Sequence, residues 1–171
     1  MKKILLFVCI ATGLMLTSCE KIEVGGTATQ ALAGEWYVTA NVVDENLEVL
    51  AEDFFGMGQF HVNTYNTAAN VPNEIWVDDL GNFWEFKVKA TANVDNYTFS
   101  TPDSVANAYY DCKVLIEGGK ILPGAATTPH GTAADSIVFY VSFDDDPYPA
   151  TYGYAKYQFT GYRYTGLASD D

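Results

Sequence analysis

Three residues of one loop-like stretch, His130, Asp135 and Ser136, are of the types that activate a serine for hydrolysis. That chemistry needs a nucleophile, a base within hydrogen-bond reach and an acid that orients the base. No Gly-x-Ser-x-Gly elbow accompanies them, and Asp and Ser also form turns, so a plain loop accounts for them and no catalytic residue is assigned. Acids for glycoside cleavage could come from Asp78, Asp79, Glu85 and the run Asp144 to Asp146, but that reaction depends on a carboxylate separation that spacing along the chain does not supply. The acidic run ends at Pro147, which suits a solvated turn, and it lacks the ligand spacing of an EF-hand calcium loop. With two histidines, His61 and His130, and no Cys-x-x-Cys pair, a zinc site has no support. No metal or other cofactor is expected.

The cysteines divide by position. Lys2 and Lys3 precede an apolar run from Ile4 to Leu16, and Leu16-Thr17-Ser18-Cys19 then brings small residues directly before a thiol. A cationic start and an apolar stretch too short to span a bilayer are the marks of a secretory signal. Residues 1–18 are therefore expected to be removed and Cys19 to be lipidated, which places the protein at the outer membrane or cell surface, with the periplasmic face as the alternative. Cys9 lies within the signal, leaving Cys112 without a partner for a disulfide. In an oxidising compartment a lone thiol in a strand-like run reads as a small buried hydrophobe.

Loss of the signal leaves 153 residues, one domain's worth. Lys2 and Lys3 leave with it, so the formal net charge of −13 becomes −15. A chain this acidic is no partner for nucleic acid, and it would be repelled by an anionic bilayer surface, so attachment falls to the lipid on Cys19.

The elements that position these side chains are strands. Residues 19–32, rich in Gly, Thr and Ala, read as a flexible tether, and the domain is expected over 33–171. Trp36, Val38, Ala40 and Val42 alternate with Glu35, Tyr37, Thr39 and Asn41, the period of a strand with one buried face. Phe60, Val62 and Thr64 continue the inward set, leaving His61 outward. A hairpin is predicted over 74–89, turning at Asp79 to Asn82 and resuming with Trp84, Phe86, Val88 and Ala90 inward. A short strand at 97–100 follows. Tyr110, Cys112, Val114 and Ile116 line the next strand, which Gly118-Gly119 closes, and residues 124–135 form a loop. Ile137, Phe139, Val141 and Phe143 give the cleanest alternation, and a tyrosine-rich strand runs from about Tyr152 to Tyr164. Eight strands joined in sequence predict an all-β chain, an eight-stranded antiparallel up-and-down β-barrel, with a β-sandwich as the competing arrangement.

Gly34-Glu35-Trp36 on the first strand and an inward Arg163 on the last resemble the lipocalin and wider calycin pattern, in which a guanidinium lies across the indole and closes one end of the barrel. Such a desolvated pair is worth about 2 kcal/mol, and the role of Gly34, Trp36 and Arg163 is then structural. A small ligand entering a barrel mouth would touch the inward set Phe60, Trp84, Phe86, Phe139 and Val141, with plain filling of the core as the alternative role for most of them. The tyrosines between Tyr148 and Tyr164 suit glycan or lipid contacts as well as ordinary strand packing.

A fuller resemblance runs through the blocks Leu32-Ala33-Gly34-Glu35-Trp36-Tyr37-Val38, Thr64-Tyr65-Asn66-Thr67-Ala68, Glu74-Ile75-Trp76-Val77-Asp78-Asp79, Ala134-Asp135-Ser136-Ile137-Val138-Phe139-Tyr140 and Gly161-Tyr162-Arg163-Tyr164-Thr165-Gly166. These are similar to the lipid-binding putative hydrolase family of Bacteroides-type lipoproteins. The resemblance implies the lipocalin-like fold and the lipoprotein character, and it brings no catalytic motif with it. The expected function is a lipid-anchored envelope lipoprotein whose barrel binds a small apolar or amphipathic ligand. The alternatives are a hydrolase of lipid or ester substrates and a scaffold or adhesion component of an envelope complex.

Overall fold

Among the described residues, period-two alternation is realised as ten antiparallel strands: β1 (Gly34–Val43), β2 (Val49–Ala51), β3 (Phe60–Asn66), β4 (Glu74–Asp78), β5 (Lys87–Asn93), β6 (Thr98–Ser100), β7 (Val105–Ala106), β8 (Lys113–Thr127), β9 (Ala133–Phe143) and β10 (Lys156–Arg163), with one short helix α1 (Tyr148–Tyr152). The computed structural model describes residues 25–167, so the expected signal and Cys19 lie outside the described residues. Eight strands form a meander in the order β1-β3-β4-β5-β6-β8-β9-β10, and β10 returns to pair with β1 from Trp36↔Arg163 to Val43↔Lys156. That last ladder decides between barrel and sandwich, because it leaves the sheet no free edge. The accessory strands β2 and β7 extend the wall at one end, pairing with the last residues of β1 and the first of β8.

The inward faces fill the barrel. Trp36, Phe86, Val88, Ile116, Ile137, Phe139, Val141 and Phe159 are each fully buried. Phe139 lies 5.7 Å from Phe99 and 5.1 Å from Phe159 between ring centroids, with Phe86 a further 6.2 Å from Phe159. An eight-stranded barrel is only wide enough for side chains or one small ligand, and here aromatic rings occupy the shaft. Each such side chain contributes about 1.5–3 kcal/mol by leaving water.

Six sequence expectations are corrected. The connection after β4 is a loop of residues 79–86, in which Leu80 and Glu85 take positive φ (56° and 51°), so the alternation breaks and Trp84 lies off the strand while Phe86 alone enters the core. Gly118-Gly119 does not end β8; the register against β9 slips there, a bulge, and the ladder continues to Thr127. The connection to β9 is therefore only 128–132. Tyr110 sits in the preceding loop and is exposed. Finally, residues 28–32 form a turn in which Thr29 and Leu32 are fully buried, so this part of the expected tether belongs to the packed domain, and the last strand begins at Lys156, after α1, instead of near Tyr152.

Candidate functional site

Up-and-down connectivity gives the barrel two unlike ends. The chain enters at the end where β1 starts, and there the buried turn at 28–32 plugs the shaft. Thr64 donates its hydroxyl hydrogen to the Leu32 carbonyl (2.6 Å) and accepts the Trp36 indole N–H (2.9 Å). The Arg163 guanidinium lies 4.4 Å from the Trp36 ring centroid, donates from Nε to Asp135 (3.0 Å) and from Nη1 to the Ala33 carbonyl. Gly34 is required beside it, because a Cβ there would fall 2.2 Å from Arg163 Nη1. This end is tied to the wall by cation–π and charge-assisted hydrogen bonds.

The opposite end is built differently. Its β4–β5 loop, residues 79–86, is organised by Asp79, a fully buried side chain just after β4. The carboxylate accepts four backbone N–H groups, from Gly81 (2.9 Å) and Phe86 (2.8 Å) on Oδ1 and from Phe83 (3.1 Å) and Trp84 (2.8 Å) on Oδ2. Charge-assisted bonds of this kind do for the loop what a ladder does for a strand. They aim two aromatic side chains. Phe83 drops over the shaft, stacked on Phe60 (5.5 Å, 14°) and edge-on to Tyr157 and Phe159 (4.9 and 5.0 Å). Trp84 lies flat against Phe143 (5.1 Å, 16°) and donates its indole N–H to Asp145 (3.0 Å).

Above this floor the remaining connections bring up more rings. Phe55 and Met57, from the β2–β3 connection, and Tyr148 of α1 close a recess of about 190 Å³ with Phe83 and Trp84. On the other side of Trp84 a cleft of about 430 Å³ is lined by Gly81, Phe83, Trp84, Glu85, Tyr110 and Asp145. Phe55, Met57, Tyr110 and Tyr148 are all more than one-third exposed, which is unusual for side chains of their size gathered in one place. Asp145 also accepts the Tyr110 hydroxyl (2.9 Å). Burial pushes this carboxyl up, but the Trp84 and Tyr110 donors outweigh it and hold it below the usual carboxylate range. The same contact, with burial leading, pushes the Tyr110 phenol well above its ordinary value.

The residues singled out from sequence are distributed over both ends and the shaft. Phe86, Phe139 and Val141 are fully buried in the shaft, Phe60 is nearly so beneath Phe83, and Trp84 stands half-buried in the mouth. His130 is exposed at the tip of the 128–132 turn. Asp135 is bound by Arg163, whereas Ser136, next along β9 and so on its opposite face, donates to the Gly161 carbonyl (2.9 Å). Asp78 accepts from Tyr65 (2.6 Å) and Tyr109 (2.7 Å) on the outer wall while Asp79 points inward, so the two carboxylates part company. Asp144 accepts the Lys113 amide (2.7 Å) and Asp146 the Tyr157 hydroxyl (2.7 Å). Cys112 is buried beside Asp144 and Asp145, with one oxygen of each and Sγ all within 4.8 Å of one another. Burial pushes its thiol up, away from the reactive thiolate.

Sequence reasoning missed Phe55, Met57, Phe83 and Tyr110 as mouth residues and Asp79 as the organiser of their loop. The signal available for the first pair was the segment Phe54-Phe55-Gly56-Met57-Gly58, apolar residues between glycines where a strand should have ended in polar turn residues.

No curated protein sequence matches the chain. The profile of one family, described as lipid-binding putative hydrolase, matches residues 21–168. That match covers the whole barrel, both of its ends included, and the chain belongs to the lipid-binding putative hydrolase family.

Proposed function

We propose that the protein is a lipoprotein, anchored through Cys19 at the outer membrane or cell surface, that binds a small apolar or amphipathic molecule at the open end of its barrel. The observation that carries this reading is the aromatic recess floored by Phe83 and Trp84 above a shaft already filled by rings. A ligand's apolar part then sits against Phe55, Phe83, Trp84 and Tyr148 at the mouth, with its polar part in solvent. Phe86, Phe139 and Val141 support that floor from below. The family's lipid-binding description supports the ligand class. The chain enters the barrel at the plugged end, so an anchor at Cys19 would leave the mouth facing away from the bilayer.

The test is calorimetric titration of the mature chain, carrying Cys19→Ala for solubility, with dodecyl maltoside below its micelle concentration. Saturable binding that Trp84→Ala and Tyr148→Ala abolish, and that Phe139→Leu leaves intact, is the expected result; loss with Phe139→Leu but not with the mouth variants would return the ligand to the shaft. Anchoring is read separately, from a diacylglycerol mass on Cys19 in cells and release of the Cys19→Ala protein into the soluble fraction.

A further inference from the structure

Resting on the mouth reading above, we infer that the bound amphiphile carries a cationic head group, an amine or quaternary ammonium, which the mouth selects over carboxylate and phosphate lipids. The connections at this end, residues 44–48, 52–59, 79–86, 107–112 and 144–155, hold eleven Asp and Glu side chains and no Lys, Arg or His. Three lysines, Lys87, Lys113 and Lys156, begin strands at this end, and all three take the outward parity. Lys87 lies against Asp78 (3.6 Å) and Lys156 against Glu117 on the outer wall. Arg163 belongs to the plugged end. An anionic head group at the mouth connections would therefore meet chiefly its own sign of charge, the three lysines lying on the outward faces of their strands.

The cleft beside Trp84 supplies the other half of the recognition. Its walls are the rings of Phe83, Trp84 and Tyr110, and carboxylates stand at its edge on Asp145 and Glu85. Asp145 takes the indole N–H and the Tyr110 hydroxyl, so the polar edges of both rings are turned to the carboxylate, and both rings line the open space. Ring faces are negative and attract cations that come within about 6 Å of the centroid. An ammonium group in this cleft meets aromatic rings and carboxylates together, while the apolar recess across Trp84 takes the adjoining methylenes. At about 190 and 430 Å³ the two spaces suit a small head group and a short length of chain.

The experiment titrates the same mature chain with dodecyltrimethylammonium, dodecyl maltoside and dodecanoate, each below its micelle concentration, at low and at high salt. The expected result is ammonium binding at least about tenfold tighter than dodecanoate at low salt, with the preference shrinking as salt screens the mouth. The triple substitution E45Q/E52Q/D111N, at exposed acids of the mouth connections, should reduce the ammonium affinity severalfold and leave maltoside binding unchanged. Dodecanoate binding as tightly as ammonium while maltoside also binds would overturn the charge selection and leave the mouth reading standing. An ammonium preference that neither salt nor the triple variant alters would overturn it equally. Failure of all three amphiphiles to bind would instead remove the mouth reading on which it rests.

Discussion

Asp79 is the side chain on which the mouth depends, and its removal has a calculable cost. Four backbone N–H groups, at 2.8 to 3.1 Å, lose their acceptor in Asp79→Ala. At about 1.5–3 kcal/mol for each bond to a charged group the sum would exceed the stability of many whole domains. The loop has a cheaper response, which is to open and let water take the four amides. That opening exposes the Phe83 and Trp84 rings and loosens Phe86, which is fully buried and contributes about 1.5–3 kcal/mol by itself. Local opening therefore caps the loss at about 3 kcal/mol. With a urea slope of about 2 kcal/mol/M the midpoint of unfolding should fall by about 1.5 M. Asp79→Asn should cost nearly as much, because the amide nitrogen that replaces one oxygen must face two N–H donors. The same variants should shift tryptophan emission to the red and raise acrylamide quenching, since Trp84 leaves Phe143 and Asp145 while Trp36 stays buried. Unfolding free energies within about 0.5 kcal/mol of wild type, with unchanged emission, would refute the assignment of this carboxylate as the loop's organiser.

At the plugged end, Gly34→Ala must push the Arg163 guanidinium aside, and it should cost about 2 kcal/mol in urea unfolding, as should Arg163→Lys, which keeps the charge but loses the planar cover on Trp36 and the Asp135 geometry. Phe139→Ala should cost about 3–5 kcal/mol through the cavity it leaves in the shaft, with amphiphile affinity at the mouth retained when measured well below the melting temperature. On the outer wall burial pushes the Asp78 carboxyl up, but the Tyr65 and Tyr109 hydroxyls, the Leu80 amide and Lys87 hold it below the ordinary carboxylate value. A lowered folded value means its stabilisation is present above an unfolded pKa of about 4 and is lost as pH falls through the folded one, so Asp78→Asn should flatten the acid limb of a stability–pH curve and leave its shape near neutrality unchanged. Cys112, buried and with its thiol pushed up, should resist iodoacetamide in the native protein and react fully in denaturant.

What the sequence made legible was the wall. Period-two alternation needs only that one face of a strand be buried, and β1 from Trp36 to Ala40, β9 from Ile137 to Phe143 and β10 from Lys156 to Thr160 obey it, with strands as neighbours on both sides. The same rule assigned Trp36 and Arg163 to one face and one end, and the two stand 4.4 Å apart. Alternation fails where a carboxylate replaces the ladder as the partner of the backbone. From Asp79 onward the N–H groups of four residues turn to one side chain, three residues take positive φ, and Phe83 and Trp84, which alternation would send to opposite faces, both end at the mouth. Asp79 stood in the sequence beside Asp78 as half of a possible catalytic pair, and nothing in residue type separates an acid that does chemistry from one that accepts amides. The difference lies in burial without a cation, a property of the fold. It follows that a relative keeping the wall pattern could lose the mouth by one substitution at this position, with its barrel still closed, so the residue just after β4 is the place to look when asking which members of the family bind as this one is proposed to.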